Sequence, residues 1–199
     1  MIFTRSRTEF ETRLMINGQK IDQVTEEKVC GVWITDDLKW EKNSRELSKG
    51  GFARISMLTK LKYVGVNQSD LIDIYKLFIR SLLEYCSVVW HSRLTVEDIQ
   101  VLERVQKTSL RIILGDNYES YPSALEACNL KTLYERREER SLKFAHKCLK
   151  HPVNKRLFPL NSNCHTLHEK CKDKYTVNFA KTDALKKSAI PYLQRRLNQ

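Results

Sequence analysis

Past Asp36-Asp37 the chain carries no further strand signal. From there on its apolar residues recur at three- and four-residue intervals, the period of helices buried on one face. Any β-structure is thereby confined to the first 35 or so residues, and the remainder must pack helix on helix. The sequence predicts an α+β, mainly α fold: a small N-terminal antiparallel β portion, then a helical bundle, then an irregular basic C-terminal tail. Composition shifts near residues 38–43 and 152 divide the chain into 1–38, 39–151 and 152–199.

Arg13–Ile16 and Gln19–Val24 flank Asn17-Gly18, a pair that takes the positive φ angles of a tight hairpin turn. Val29–Ile34 is a β-branched apolar run with the length of one buried strand, closed by the Asp36-Asp37 turn. A helix over Ser44–Leu61 is interrupted at Gly50-Gly51, because glycine costs about 1 kcal/mol relative to alanine within a helix. The next begins at Ser69-Asp70 and carries Leu71, Ile74, Tyr75, Phe78 and Leu82 towards Trp90; apolar on most sides, it reads as the central buried helix. Thr95 with Asp98, and Thr132 with Glu135, have capping-box spacing. The first opens a helix that places Ile99, Leu102, Val105, Leu110, Ile113 and Leu114 inside and ends at Gly115. The second opens one that His151-Pro152 stops. Pro122 opens a short helix to Cys128, and a last helix over Thr182–Leu197 is expected to break or kink at Pro191.

With 41% hydrophobic residues, 199 residues suffice for one ordinary domain or two small ones. No run approaches the roughly 20 apolar residues of a membrane span, and the start lacks a signal-peptide core. A soluble intracellular protein of nucleus or cytoplasm, without a membrane partner, is expected. The six cysteines (30, 86, 128, 148, 164, 171) form no CxxC pair; four lie in apolar runs and read as packing rather than a disulfide frame.

Charge says more. Residues 1–130 hold 18 basic and 18 acidic side chains, whereas residues 131–199 hold 17 basic and 6 acidic, so the whole net charge of +11 lies in the last third. Such asymmetry points to a polyanion, most simply nucleic acid; a basic surface kept for solubility, or for an acidic protein partner, is the alternative. Basic residues with interleaved aromatics recur at Lys60, Lys62 and Tyr63, at Arg136, Arg137, Arg140 and Lys143, and at Tyr192, Arg195 and Arg196. Helical spacing places Arg136, Arg140, Lys143 and Lys147 on one face, with Glu135, Glu138 and Glu139 alongside.

No catalytic constellation emerges. Asp36-Asp37 lacks the aromatic-x-Asp-Asp setting of a polymerase metal pair and reads as a turn. Cys164, His165, His168 and Cys171 supply four potential zinc ligands but are too crowded for two separated pairs, so a surface loop is expected. His146 and Cys148 read as packing. There is no Gly-x-Ser-x-Gly elbow and no phosphate-binding glycine loop. Neither cofactor nor metal is expected.

Several segments together resemble the reverse transcriptases of jockey-like non-LTR retrotransposons, in the region downstream of the catalytic aspartates. The marks are Met1-Ile-Phe-Thr-Arg-Ser-Arg, Leu14-Met-Ile-Asn-Gly18, Lys28-Val-Cys-Gly-Val-Trp-Ile34, Leu38-Lys-Trp40, Ser56–Lys62, Ile79–Trp90, Leu102–Lys107, Arg111-Ile-Ile-Leu-Gly115, Tyr175–Thr182 and Ile190–Asn198. The resemblance implies that Met1 is internal to a longer polyprotein, with fingers, catalytic turn and endonuclease upstream, and that this piece is not itself an enzyme. It implies that residues 1–35 end a palm, with Val29–Ile34, including Gly31 and Trp33, similar to a primer grip. Residues 40 to about 115 would be a thumb and its continuation, cradling a template–primer duplex by its backbone. The implied partner is RNA or an RNA–DNA hybrid, with self-association through exposed β edges. Cys30-Gly31 stands where the family has Leu-Gly, the family's histidine near Asn43 is missing, and Gly50-Gly51 stands where it has helix formers. These departures look like drift, so alanine at both glycines is expected to raise the melting temperature.

Overall fold

Asn17 and Gly18 both have positive φ, 50° and 79°, and turn β1 (Met15–Ile16) back onto β2 (Gln19–Lys20). The computed structural model describes residues 14–161 and 174–199. A second hairpin follows where one buried strand was expected. Cys30 (φ 49°) and Gly31 (φ 85°) make a turn like that of Asn-Gly, and β3 (Glu26–Val29) pairs antiparallel with β4 (Val32–Thr35), Val29 opposite Val32. The apolar run thus spans two strands; β3 is exposed throughout, Val32 is buried in the core and Ile34 packs half-buried against it. Asp36-Asp37 is a turn, Asp37 Oδ1 accepting from the Thr35 hydroxyl (2.7 Å) and the Lys39 amide (3.0 Å).

Helix α1 (Glu41–Tyr63) runs unbroken through Gly50-Gly51, contrary to the expected interruption. Its main partner is α5 (Val96–Leu114), and Gly51 lies at their contact. Helix α2 (Gln68–Ile74) is capped not by Ser69 or Asp70 but by Asn67, whose Oδ1 accepts from the Asp70 amide at 2.9 Å. It widens into a π-helical stretch over Tyr75–Arg80 before α3 (Ser81–Leu83). Leu71, Tyr75, Ile79 and Leu83 are all fully buried. A strict four-residue spacing drifts about 40° per step on an α-helix, and the wider turn removes that drift and keeps the four on one face. Phe78, expected inside, is exposed, and Leu82 is half-buried. Cys86, at φ 50°, ends this arm before α4 (Ser87–Trp90).

Both capping boxes form, at Thr95/Asp98 opening α5 and at Thr132/Glu135 opening α7 (Leu133–Lys150), with α6 (Tyr121–Ala127) between them capped by Ser120. Gly115 ends α5 with positive φ, and the Lys62 ammonium donates to the Ile113 carbonyl near that end. The final helical stretch breaks at Lys187-Ser188 rather than at Pro191, giving α8 (Asp183–Lys186) and α9 (Ala189–Leu197). Pro191 falls in the first turn of α9, where its missing N–H has no helical acceptor to lose. Phe158 and Leu193 pack with Ala145 and Cys148 of α7 in a small second core. Buried Gln194 fastens this part of the chain, donating to the Leu157 carbonyl (2.7 Å) and accepting from the Asn178 amide (2.8 Å). The fold is α+β and mainly α, as predicted.

Cys128 and Cys148 are buried, but Cys30 and Cys86 are exposed at positive-φ turns rather than packed in the core, and no disulfide joins these four. Residues 164, 165, 168 and 171 and the segment Met1–Arg7 lie outside the described residues. No helix among the described residues is long and apolar enough to cross a membrane.

Candidate nucleic-acid interface

Helix α7 divides its residues between two faces. Leu133, Arg137, Ser141, Ala145 and Cys148 form the buried stripe. About a quarter-turn away, Arg136, Arg140, Lys143 and Lys147 follow one another at four-, three- and four-residue spacing. With Phe144 of α7 and Val88 of α4 they line an open groove of about 420 Å³. Three of the expected binding residues, Arg136, Arg140 and Lys143, are therefore brought together. Neither Lys143 nor Lys147 makes a salt bridge among the described residues, though the Glu139 carboxyl is held below its usual range by the Lys131 hydrogen bond first and then by the charges of Lys131, Lys143 and Arg136.

The other two cations share one carboxylate. Glu84, in the break between α3 and α4, has a side chain only 2% exposed. Its Oε1 accepts from Arg136 Nε at 2.6 Å, and its Oε2 from Arg136 Nη2 at 3.2 Å and Arg140 Nη1 at 3.3 Å. The Glu84 hydrogen bonds push the Arg136 guanidinium further above its ordinary range. Nearby Arg80 is pushed the other way, by burial first and then by the charges of Arg136 and Arg140, with Glu84 opposing. Buried Glu84 and partly exposed Glu139, the latter paired with Lys131 and within the fields of Lys143 and Arg136, thus stand against four cations in the groove, with Arg80 and Lys131 beside them, and the surplus is positive.

The remaining expected residues lie elsewhere. Arg137 is not on the basic face: it is fully buried, its guanidinium over the Trp90 ring at 5.7 Å and its Nε donating to His91 Nδ1 at 3.3 Å. Its Nη1 and Nη2 have no partner, so it offers nothing to a phosphate. Adjacent arginines sit about 100° apart on a helix, and only one of Arg136 and Arg137 can face the groove. Lys60 and Lys62 lie near the far end of α1. Gly31 and Trp33 belong to the second hairpin, where Trp33 lies under the Lys42 ammonium and its amide donates to Asn43 Oδ1. Arg195 donates to the Lys186 carbonyl, and Arg196 pairs with Glu138 at 3.1 Å.

Phe144 and Glu84 carried no weight in the sequence. Phe144 had a signal, since it stands one position outside the buried stripe, between Lys143 and Ala145. Glu84 had none, because its role depends on a fold-back across more than fifty residues.

Behind the groove, a polar network sets α9 on α7. His91 Nε2 donates to Glu138 Oε1 at 2.8 Å, and Tyr192 donates to the same oxygen. Because Arg137 donates to Nδ1, His91 is held as the neutral Nε2–H tautomer. Its pKa is lowered, by burial first and by the Arg137 charge second, against the opposing pull of Glu138. Burial pushes the Glu138 carboxyl up, but hydrogen bonds from Tyr192 and His91 and the Arg196 charge bring it below its usual range.

No three His, Cys, Asp or Glu side chains among the described residues are placed to hold a metal ion. The groove offers charge and an apolar wall, the means of binding an anionic chain. No family model matches the chain, and no curated protein or solved structure is significantly similar to it.

Proposed function

We propose that this chain binds nucleic acid, RNA or an RNA–DNA hybrid, through the sugar–phosphate backbone, with the α7 groove as its contact surface. The observation that supports this reading is the row of Arg136, Arg140, Lys143 and Lys147 along one open groove, against a single buried carboxylate. On the same reading, the chain corresponds to the region downstream of the catalytic aspartates in a jockey-like non-LTR reverse transcriptase and is not itself an enzyme. The order of the resembling segments supports that part.

The test is titration of a labelled RNA, single-stranded and annealed to its DNA complement, at 50 and 200 mM salt, beside a Lys143→Glu/Lys147→Glu variant. Three neutralised phosphates would weaken binding roughly 40-fold over that salt range. Loss of binding in a variant that melts normally supports the reading. Failure of the folded wild-type protein to bind at 50 mM salt overturns it and favours the alternative, a basic helical adaptor for an acidic protein.

A further inference from the structure

We infer that the α7 groove takes a single strand rather than a duplex, with one unpaired base stacked on Phe144. The inference rests on the nucleic-acid reading above and specifies its substrate class. Phe144 lines the groove, yet the residue is left 39% exposed, with Val88 on the groove's other wall. It stands four residues after Arg140 and three before Lys147, one helical turn from a cation on each side. A ring between two cations matches the repeat of an unpaired strand, in which phosphate, base and phosphate follow in turn.

A duplex can meet the cations of this groove but not its ring. Its bases are paired and stacked inside, so only its phosphates could reach the groove and Phe144 would be covered without a partner. Stacking on an aromatic ring requires an unpaired base and tolerates any sequence, because every base has a π-face. The basic row spans about 16 Å along the helix axis, enough for a few nucleotides of one strand. Charge runs unevenly along it, and Lys143 lies in the field of Glu139, which Lys131 also holds. Arg136 and Arg140 are hydrogen-bonded to Glu84, whereas Lys143 and Lys147 make no salt bridge among the described residues, so the strongest phosphate contacts fall beside Phe144 at the lysine end.

The experiment measures binding of one labelled oligouridine, alone and annealed to its DNA complement, at fixed salt. The proteins are wild type, Phe144→Ala, Phe144→Trp and Lys143→Glu/Lys147→Glu, each with its melting temperature as a check on folding. The expected results are tighter binding of the single strand, about tenfold loss of that binding in Phe144→Ala with the duplex changed less than twofold, and recovery in Phe144→Trp. The salt slope should be the same for wild type and Phe144→Ala, since no phosphate contact is lost. Duplex binding as tight as single-strand binding, or equal weakening of both by Phe144→Ala, overturns the inference while leaving backbone binding intact. Binding of neither form, or binding indifferent to the lysine reversals, overturns the reading beneath it.

Discussion

Gly51 of α1 approaches Val105 of α5 so closely that a Cβ on the glycine would lie 2.8 Å from Val105 Cγ1, with Leu83 Cδ2 at 3.2 Å. The glycine is what lets the two longest helices meet, and Val105 is fully buried with no room to withdraw. Alanine would gain about 1 kcal/mol of helix propensity but overpack the contact by roughly 1–3 kcal/mol. Gly51→Ala should therefore lower the melting temperature by a few degrees, the reverse of what the sequence suggested. Gly50 meets only the end of half-buried Leu82, at 3.0 Å, and Gly50→Ala should leave the melting temperature within about 2 °C. A rise in Gly51→Ala would sink this account of the helix contact.

Glu84 is a stabilising anion set in a binding surface that its charge weakens. Replacing it with glutamine leaves Arg136 and Arg140 without their counter-charge and should cost roughly 2 kcal/mol, because both arginines are partly exposed and can rehydrate. The same change frees their guanidiniums for phosphate. Thermal melts should show a lower midpoint for Glu84→Gln, while nucleic-acid titrations should show tighter binding and a salt slope steeper by about one. Weaker binding by a folded Glu84→Gln would mean that Glu84 organises the groove rather than opposing it.

The helices and their caps were largely legible, because capping boxes, Asn-Gly and apolar periodicity are local signals. The errors came where the same local signal serves a tertiary purpose. Gly50-Gly51 reads as a helix breaker yet marks close packing. Cys30-Gly31 reads as strand interior yet turns the chain, because nothing in six consecutive residues says that two strands share them. Four of the six residues lining the groove were legible as a helical row, and Val88 and Phe144 were not. The burial of Arg137 followed from its place in the stripe with Leu133 and Ser141, a pattern obscured by the charge run in which it sits. The pairing of Glu84 with Arg136 was out of reach, since it joins residues 52 positions apart.

Stability should depend on pH through His91. Facing it are Arg137, Glu138 and Tyr134 from α7, with Tyr192 and Arg196 of α9 reaching it through Glu138. Its pKa is lowered in the folded protein, so the unfolded chain takes up the proton first as pH falls. The contribution is fully present above the unfolded value of about 6.5 and is lost as pH falls from there through the lower folded value. Glu138, also lowered, stays ionised through this window and adds its own loss only at more acid pH. Melting temperatures should decline between pH 7 and 5, and the decline should flatten in His91→Gln. An unchanged slope in that variant would place the dependence elsewhere.

Arg137 should be dispensable both to stability and to binding. Its side chain is wholly buried, and only its Nε has a hydrogen-bond partner, while two guanidinium nitrogens have none. Such a charge bears a desolvation cost that contact with Trp90 and the fields of Glu103 and Glu84 offset in part. Methionine fills a similar volume without that cost, and replacing buried ions by well-packed apolar groups is often neutral or stabilising. Arg137→Met should melt within about 2 °C of the wild type or above it, and should bind nucleic acid with unchanged affinity and salt slope. Arg137→Ala should fall by several degrees, because it leaves a cavity beside Trp90. If the methionine variant melts as low as the alanine variant, the cation itself, set near the buried Glu103 and Glu84, is what the core requires.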